Sequence, residues 1–151
     1  MKRISLLLLL ACIITLLVWP DHVHAYEIGA VVIAVHDGDT LTVRYDHPTT
    51  LPTTIRFYLV DAPELRTQFG AVAAQYTRSR LLNRHVTITH WKRCSKGRLL
   101  ANVSTNDTPF ALELLRQGFG RVLILHDEEH TWRSAAWAAL HEAQAAHRGI
   151  W

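Results

Sequence analysis

Along this chain the spacing of apolar residues changes repeatedly, and each change marks an element. An unbroken apolar run, Ile4 to Trp19, ends at Pro20. From Ile28 to Val35 the chain is apolar and rich in Val and Ile, Asp37-Gly38 is a turn signal, and Thr40 to Tyr45 alternates with period two; together these predict a hairpin. Prolines and turn-formers fill Asp46 to Thr53, and an extended, mostly apolar pattern resumes from Ile55 to Val60, stopping at Asp61-Ala62-Pro63. From Gly70 to Asn83 the alanines, Tyr76, Leu81 and Leu82 share a helical face with arginines between them. Val86 to Trp91 alternates again as a strand, and Leu99 to Val103 makes a fifth. Thr108 with Pro109 opens a short helix through Leu115, and a last helix runs from about Thr131 to His147, before Gly149.

Three meandering strands, a helix, two more strands and a helical tail predict an α+β, mainly β, fold: a five-stranded Greek-key OB-fold barrel with about three helices, one of them between the third and fourth strands. OB-folds commonly bind nucleic acids, but the fold leaves the chemistry open.

The ends of the chain add a processing step. Lys2 and Arg3, the apolar run and then Val23-His24-Ala25 have the order of a signal peptide, residues 1–25, cleaved after Ala25. An uncleaved anchor is less suited, because the run is shorter than the ~20 residues of a spanning helix. A lipoprotein box at Leu9-Leu10-Ala11-Cys12 would leave a mature end as apolar as the segment removed. The expectation is a secreted or periplasmic protein, residues 26–151, with no stable membrane association after cleavage: one compact domain and a monomer. Cleavage removes Cys12, so Cys94 has no partner for an internal disulfide and stability rests on packing.

A formal net charge of +3 understates the asymmetry of the charge. Between Leu65 and Asn106 lie Arg66, Arg78, Arg80, Arg84, Lys92, Arg93, Lys96 and Arg98, with no Asp or Glu. Such a stretch attracts polyanions, nucleic acid above all, although Arg78, Arg80 and Arg84 also suit an ordinary solvated helix face.

Two acidic motifs supply the chemistry: Asp37-Gly38-Asp39-Thr40, and Arg56 followed by Asp61-Ala62-Pro63-Glu64. Each alone reads as a turn or a strand exit. In a barrel whose first three strands meander, Asp39, Asp61 and Glu64 can gather beside Arg56. Carboxylates without His or Cys select Ca²⁺ or Mg²⁺ over zinc, and an exposed, loop-borne site favours Ca²⁺ with water and phosphate oxygens completing its shell. Arg56 and Arg98 are placed on strands to stabilise charge on a phosphorus centre.

The order Asp-Gly-Asp-Thr, then Arg, then Asp-x-Pro-Glu, then Gly97-Arg98 entering the fifth strand resembles nucleases of the staphylococcal-nuclease-like (thermonuclease) family, and the likeness spans about Ile28 to Trp151. By that resemblance Asp39, Asp61 and the backbone carbonyl of Ala62 hold Ca²⁺, Glu64 is the general base, and Arg56 and Arg98 grip the phosphate. The resemblance implies hydrolysis of DNA and/or RNA leaving 3′-phosphates. Three departures touch substrate grip: Lys96 stands where the family has a tyrosine, no tyrosine follows between Arg121 and His126, and the loop from Glu64 to Phe69 is short. Lys96 is accordingly a candidate substrate contact through charge.

Competing motifs carry less. His141-Glu142 lacks the second histidine of a zinc-protease helix, since position 145 is Ala145, and reads as part of an amphipathic docking helix. Asn102-Val103-Ser104 and Asn106-Asp107-Thr108 match glycosylation sequons. The alternative function is a catalytically silent OB-fold nucleic-acid-binding module, which would not need carboxylates and arginines in register.

Overall fold

The alternating segments form a sheet that closes on itself. The computed structural model describes residues 27–93, 97–123 and 132–151, without the side chains of 90–93. In chain order the elements are β1 (Glu27–Val35), β2 (Thr40–Tyr45), β3 (Thr53–Phe57), β4 (Leu59–Asp61), α1 (Gln68–Leu81), β5 (His85–Arg93), β6 (Leu99–Thr105), β7 (Thr108–Pro109), α2 (Phe110–Arg116), β8 (Arg121–Leu123) and α3 (Arg133–Ala145). Strands β1, β2 and β3 form an antiparallel meander. On its other edge β1 pairs with β5, β5 with β6, and β6 returns to run parallel to β3. That parallel pairing closes five strands into the expected OB-fold barrel, with α1 between the third and fourth barrel strands. Inward residues of every barrel strand, among them Val32, Val43, Ile55, Phe57, Ile88 and Val103, are buried in one core.

The extended pattern from Ile55 to Val60 is not one strand. It breaks at Leu59, which adopts φ 71°, and β4 leaves the barrel to pair antiparallel with β8. Leu59 keeps its side chain in the core at 1% exposure. A left-handed leucine costs about 1–2 kcal/mol, a strain that burial of the leucine side chain offsets. The Asp37-Gly38 signal does not form a two-residue turn either: His36 to Asp39 make a wider loop, closed by His36 N–H donating to the Thr40 carbonyl at 2.9 Å.

Helix α1 starts where Thr67 caps it, its hydroxyl accepting from Gly70 N–H at 3.0 Å. Alanines 73 and 74 let it lie close on the barrel end. There the Thr77 hydroxyl donates to the Gly38 carbonyl at 2.7 Å and Arg78 donates to the Val35 carbonyl at 3.0 Å, so the β1–β2 loop is pinned from above. Tyr76 ties α1 to α2: its hydroxyl donates to Glu113 at 2.6 Å and its ring packs against Phe110 and Phe119. Burial and the Glu113 carboxylate push the Tyr76 hydroxyl up to about 12, so it stays a donor.

Helix α3 docks on α2 through Ala136, Ala139, Leu140 and Ala143. Glu142 is a structural group, accepting from Arg116 at 3.1 Å and from Arg148 at 2.9 Å, in keeping with a docking helix rather than a zinc motif. Asn102 of the first sequon is buried within β6 at 4% exposure, whereas Asn106 sits in the exposed β6–β7 turn. The expected signal segment and Cys94 lie outside the described residues, as does Thr131 at the expected start of the last helix.

The chain end is locked by backbone contact. Gly118, at φ 73°, lies against the Arg148 carbonyl, Gly149, at φ 63°, lies against the Gly118 carbonyl, and Ile150 N–H donates to that same carbonyl at 3.0 Å. A Cβ at Gly118 would strike backbone, whereas at Gly97, also at positive φ, it meets open space. We expect Gly118→Ala to destabilise the fold by about 2–3 kcal/mol and Gly97→Ala by only about 1 kcal/mol. Urea unfolding of the two variants measures the difference.

Candidate active site

The barrel sets three strand ends side by side. In β2–β3 pairing Thr40 faces Arg56, and Phe57 N–H donates to the Asp39 carbonyl at 2.8 Å, so Asp39 enters β2 beside Arg56. In the parallel β3–β6 pairing Arg56 faces Leu100, and Arg98, just before β6 begins, lines the same cleft as both. The kink at Leu59 then turns Asp61 back toward Arg56.

Arg56 holds these pieces together. One terminal nitrogen, Nη1, donates to the Phe57 carbonyl at 3.0 Å and the Val60 carbonyl at 2.6 Å, satisfying the backbone on both sides of the kink. The other, Nη2, lies 2.8 Å from Asp61 Oδ1 and 3.1 Å from Asp39 Oδ2. The residue is only 8% exposed, while the Asp61 side chain is 61% exposed. The guanidinium therefore bridges a buried carboxylate and one open to solvent.

Asp39 is held from every side. Its Oδ2 accepts from Ala62 N–H at 2.6 Å, its Oδ1 accepts from the Thr40 hydroxyl at 3.1 Å, and its own N–H donates to Asp37 Oδ1 at 3.0 Å. Burial nevertheless lifts its carboxyl to about 7, with the Asp37 charge acting in the same direction; Arg56, Ala62 N–H and Thr40 pull it down without winning. Desolvation prevails because Arg56 divides its charge between two carboxylates and two carbonyls.

Glu64 follows Pro63 on the exposed segment between β4 and α1. Its backbone carbonyl accepts from both the N–H and the hydroxyl of Thr67, at 2.9 and 2.8 Å. Gly70 packs directly on that carbonyl, where a side chain would not fit. The general-base candidate is thus mounted on the start of a helix.

Asp39, Arg56, Asp61, Ala62, Glu64 and Arg98 all line one cleft of about 330 Å³. Lys96 lies outside the described residues. The cleft also includes Asp37 and the apolar walls Leu100 and Leu123. Asp37 and Thr40 were legible as part of Asp-Gly-Asp-Thr but not as the groups that orient Asp39; Leu123 had no sequence signal, since it arrives by the β4–β8 pairing. Among the described residues, no three His, Cys, Asp or Glu side chains converge as a metal cage.

A cleft lined by carboxylates and guanidinium groups, where β2, β3 and β6 meet, sits on an OB-fold barrel. The chain belongs to the family of staphylococcal nuclease homologues, whose model matches residues 54–151. It is 28% identical over 134 residues to a protein named uncharacterized endonuclease from Escherichia coli O157:H7, covering 88% of this chain and 82% of that one. It is also 34% identical over 80 residues to Protein ParB of Escherichia coli, covering 53% and 44% of the two chains.

Removing the arginine takes a hydrogen bond from each of the Phe57 and Val60 carbonyls and leaves Asp39 without its cation. We expect Arg56→Ala to destabilise the protein by about 3–5 kcal/mol, and Asp39→Asn to be less harmful in that background than in wild type. A double-mutant cycle in urea checks this; additive effects would remove Arg56 from its central place.

Proposed function

We propose that this protein is an exported, Ca²⁺-dependent nuclease that hydrolyses phosphodiester bonds of DNA and/or RNA and leaves 3′-phosphates. The supporting observation is the convergence of Asp39, Arg56, Asp61, Ala62, Glu64 and Arg98 on one cleft, joined to family membership and to an endonuclease-named relative. A silent binding module has no need of Glu64 and Arg98 on the same cleft as that aspartate and arginine.

The donor set fits a hard divalent cation. Asp39 and Asp61 offer only oxygen and share one arginine nitrogen; burial leaves Asp39 short of positive charge. Two carboxylates, with the Ala62 carbonyl assigned by the family likeness, suit an ion that keeps water and substrate oxygens in its shell. When bound, Ca²⁺ supplies charge that polarises the phosphoryl group.

The chain's own residues would act as follows. Arg56 keeps Nη1 on the Phe57 and Val60 carbonyls, so its fork stays oriented, and a non-bridging phosphate oxygen would take the place of a carboxylate oxygen at Nη2. Arg98, lining the same cleft, takes the charge that builds on the phosphoryl oxygens. Glu64 removes a proton from water as the water oxygen bonds to phosphorus. The P–O5′ bond breaks, the 5′-hydroxyl leaves with a proton from solvent, and the phosphate stays on the 3′-oxygen.

We expect cleavage with Ca²⁺ and none with chelator, measured as release of acid-soluble nucleotides by residues 26–151. Glu64→Gln should retain the fold and lose at least ~10² in turnover, whereas Asp39→Ala should lose Ca²⁺ binding and activity together. Full turnover in the Glu64 variant would remove it as the base. Export carries a separate expectation: secreted material should begin at Tyr26 by mass spectrometry, and a product that keeps Lys2 and Arg3 in the membrane fraction would make the enzyme tethered.

A further inference from the structure

A second cleft, about 370 Å³, lies across the Asp61–Glu64 segment from the first and shares those four residues with it. Its other walls are Thr67, Phe69, Arg121 and Ile150. The volume falls among small-ligand sites. Phe69, on the first turn of α1, is 41% exposed, an aromatic face at the mouth of a cleft rather than in the core. Arg121 faces Asp61 across the β4–β8 ribbon and lies 5.9 Å from the centre of the Trp151 ring. Among the described residues it makes no ion pair, so its charge is available to an anion. The short loop from Glu64 to Phe69 leaves this ground uncovered: Thr67 caps α1 only three residues after Glu64.

We propose that the second cleft is a nucleotide subsite, in which a base of the substrate next to the scissile phosphate stacks on Phe69 and its phosphate meets Arg121. The inference rests on the nuclease reading of the first cleft. Charge and continuity select the occupant. A polynucleotide gripped in the first cleft must leave it over the Pro63 ridge on one side, and a cationic wall beside an apolar, aromatic floor matches the alternation of phosphate and base along a strand. The site also makes good the stacking that Lys96 and the tyrosine-free Arg121–His126 stretch do not provide.

The test compares kcat/KM on a single-stranded hexanucleotide with kcat/KM on bis(p-nitrophenyl) phosphate, which has no base to place. Phe69→Ala should lower the ratio of the two about tenfold or more, Phe69→Leu should lower it similarly, and Phe69→Trp should hold or raise it. Arg121→Gln should lower the ratio and flatten the salt dependence of hexanucleotide KM. Thermal melting confirms that the exposed Phe69 variants stay folded. A wild-type protein that cleaves neither substrate with Ca²⁺ overturns the nuclease reading and this inference with it. A wild-type enzyme whose ratio survives in Phe69→Ala and Arg121→Gln overturns the subsite alone, and full rescue by leucine overturns stacking.

Discussion

The guanidinium of Arg56 is the interaction on which the site's geometry depends. It sits where β3 ends and a left-handed leucine throws the chain out of the barrel. On either side of that kink the Phe57 and Val60 carbonyls each take a hydrogen bond from this one side chain, and an unpaired buried carbonyl is expensive. Arg56 answers both with one nitrogen. Its second nitrogen draws in Asp61 from beyond the kink and Asp39 from the neighbouring strand. The same side chain thus stabilises an irregular backbone and assembles the polar face of the cleft, so a lysine, with its single compact ammonium, could not do both.

The barrel and the acidic motifs were readable because each rests on a local signal. Period-two alternation fixed which faces of β2 and β5 turn inward, and the helix between the third and fourth barrel strands selected the topology. Asp39, Arg56, Asp61, Ala62, Glu64 and Arg98 were nameable because the motifs carry them. The kink at Leu59 was not, since a leucine at φ 71° has no sequence mark and Ile55 to Val60 reads as one extended run. Whatever depended on the kink was hidden too: the β4–β8 ribbon, the placing of Leu123 in the cleft, and the cleft beyond Pro63. The short loop after Glu64 was visible as a length, but length does not say what it leaves open.

Burial and function pull against each other at Asp39. Two hydrogen bonds and an arginine are not enough to hold its carboxyl in the usual carboxylate range, because desolvation outweighs them. The polar face of the cleft is thus held in place at a net electrostatic cost to Asp39. Asp61 is the counterpart: attached to the same nitrogen, but with its side chain mostly solvated. One buried and one exposed carboxylate thus share a single nitrogen of an arginine whose other nitrogen holds the kink.

The outer layer follows the same economy of support. Thr67 caps α1 and also fastens the Glu64 carbonyl, so Glu64 is anchored through its backbone while the residue stays exposed. Thr77 and Arg78 pin the loop that carries Asp39 from the far side of the same helix. One helix therefore positions both the loop that carries Asp39 and the segment that carries Glu64. Tyr76, Arg80 and Glu113 join that helix to α2, and Arg116, Glu142 and Arg148 join α2 to α3 and the chain end. Loosening the C-terminal helix should reach the cleft by way of α2 and α1, through contacts that never touch substrate, and its effect should appear in the placement of Glu64 before it appears in the barrel.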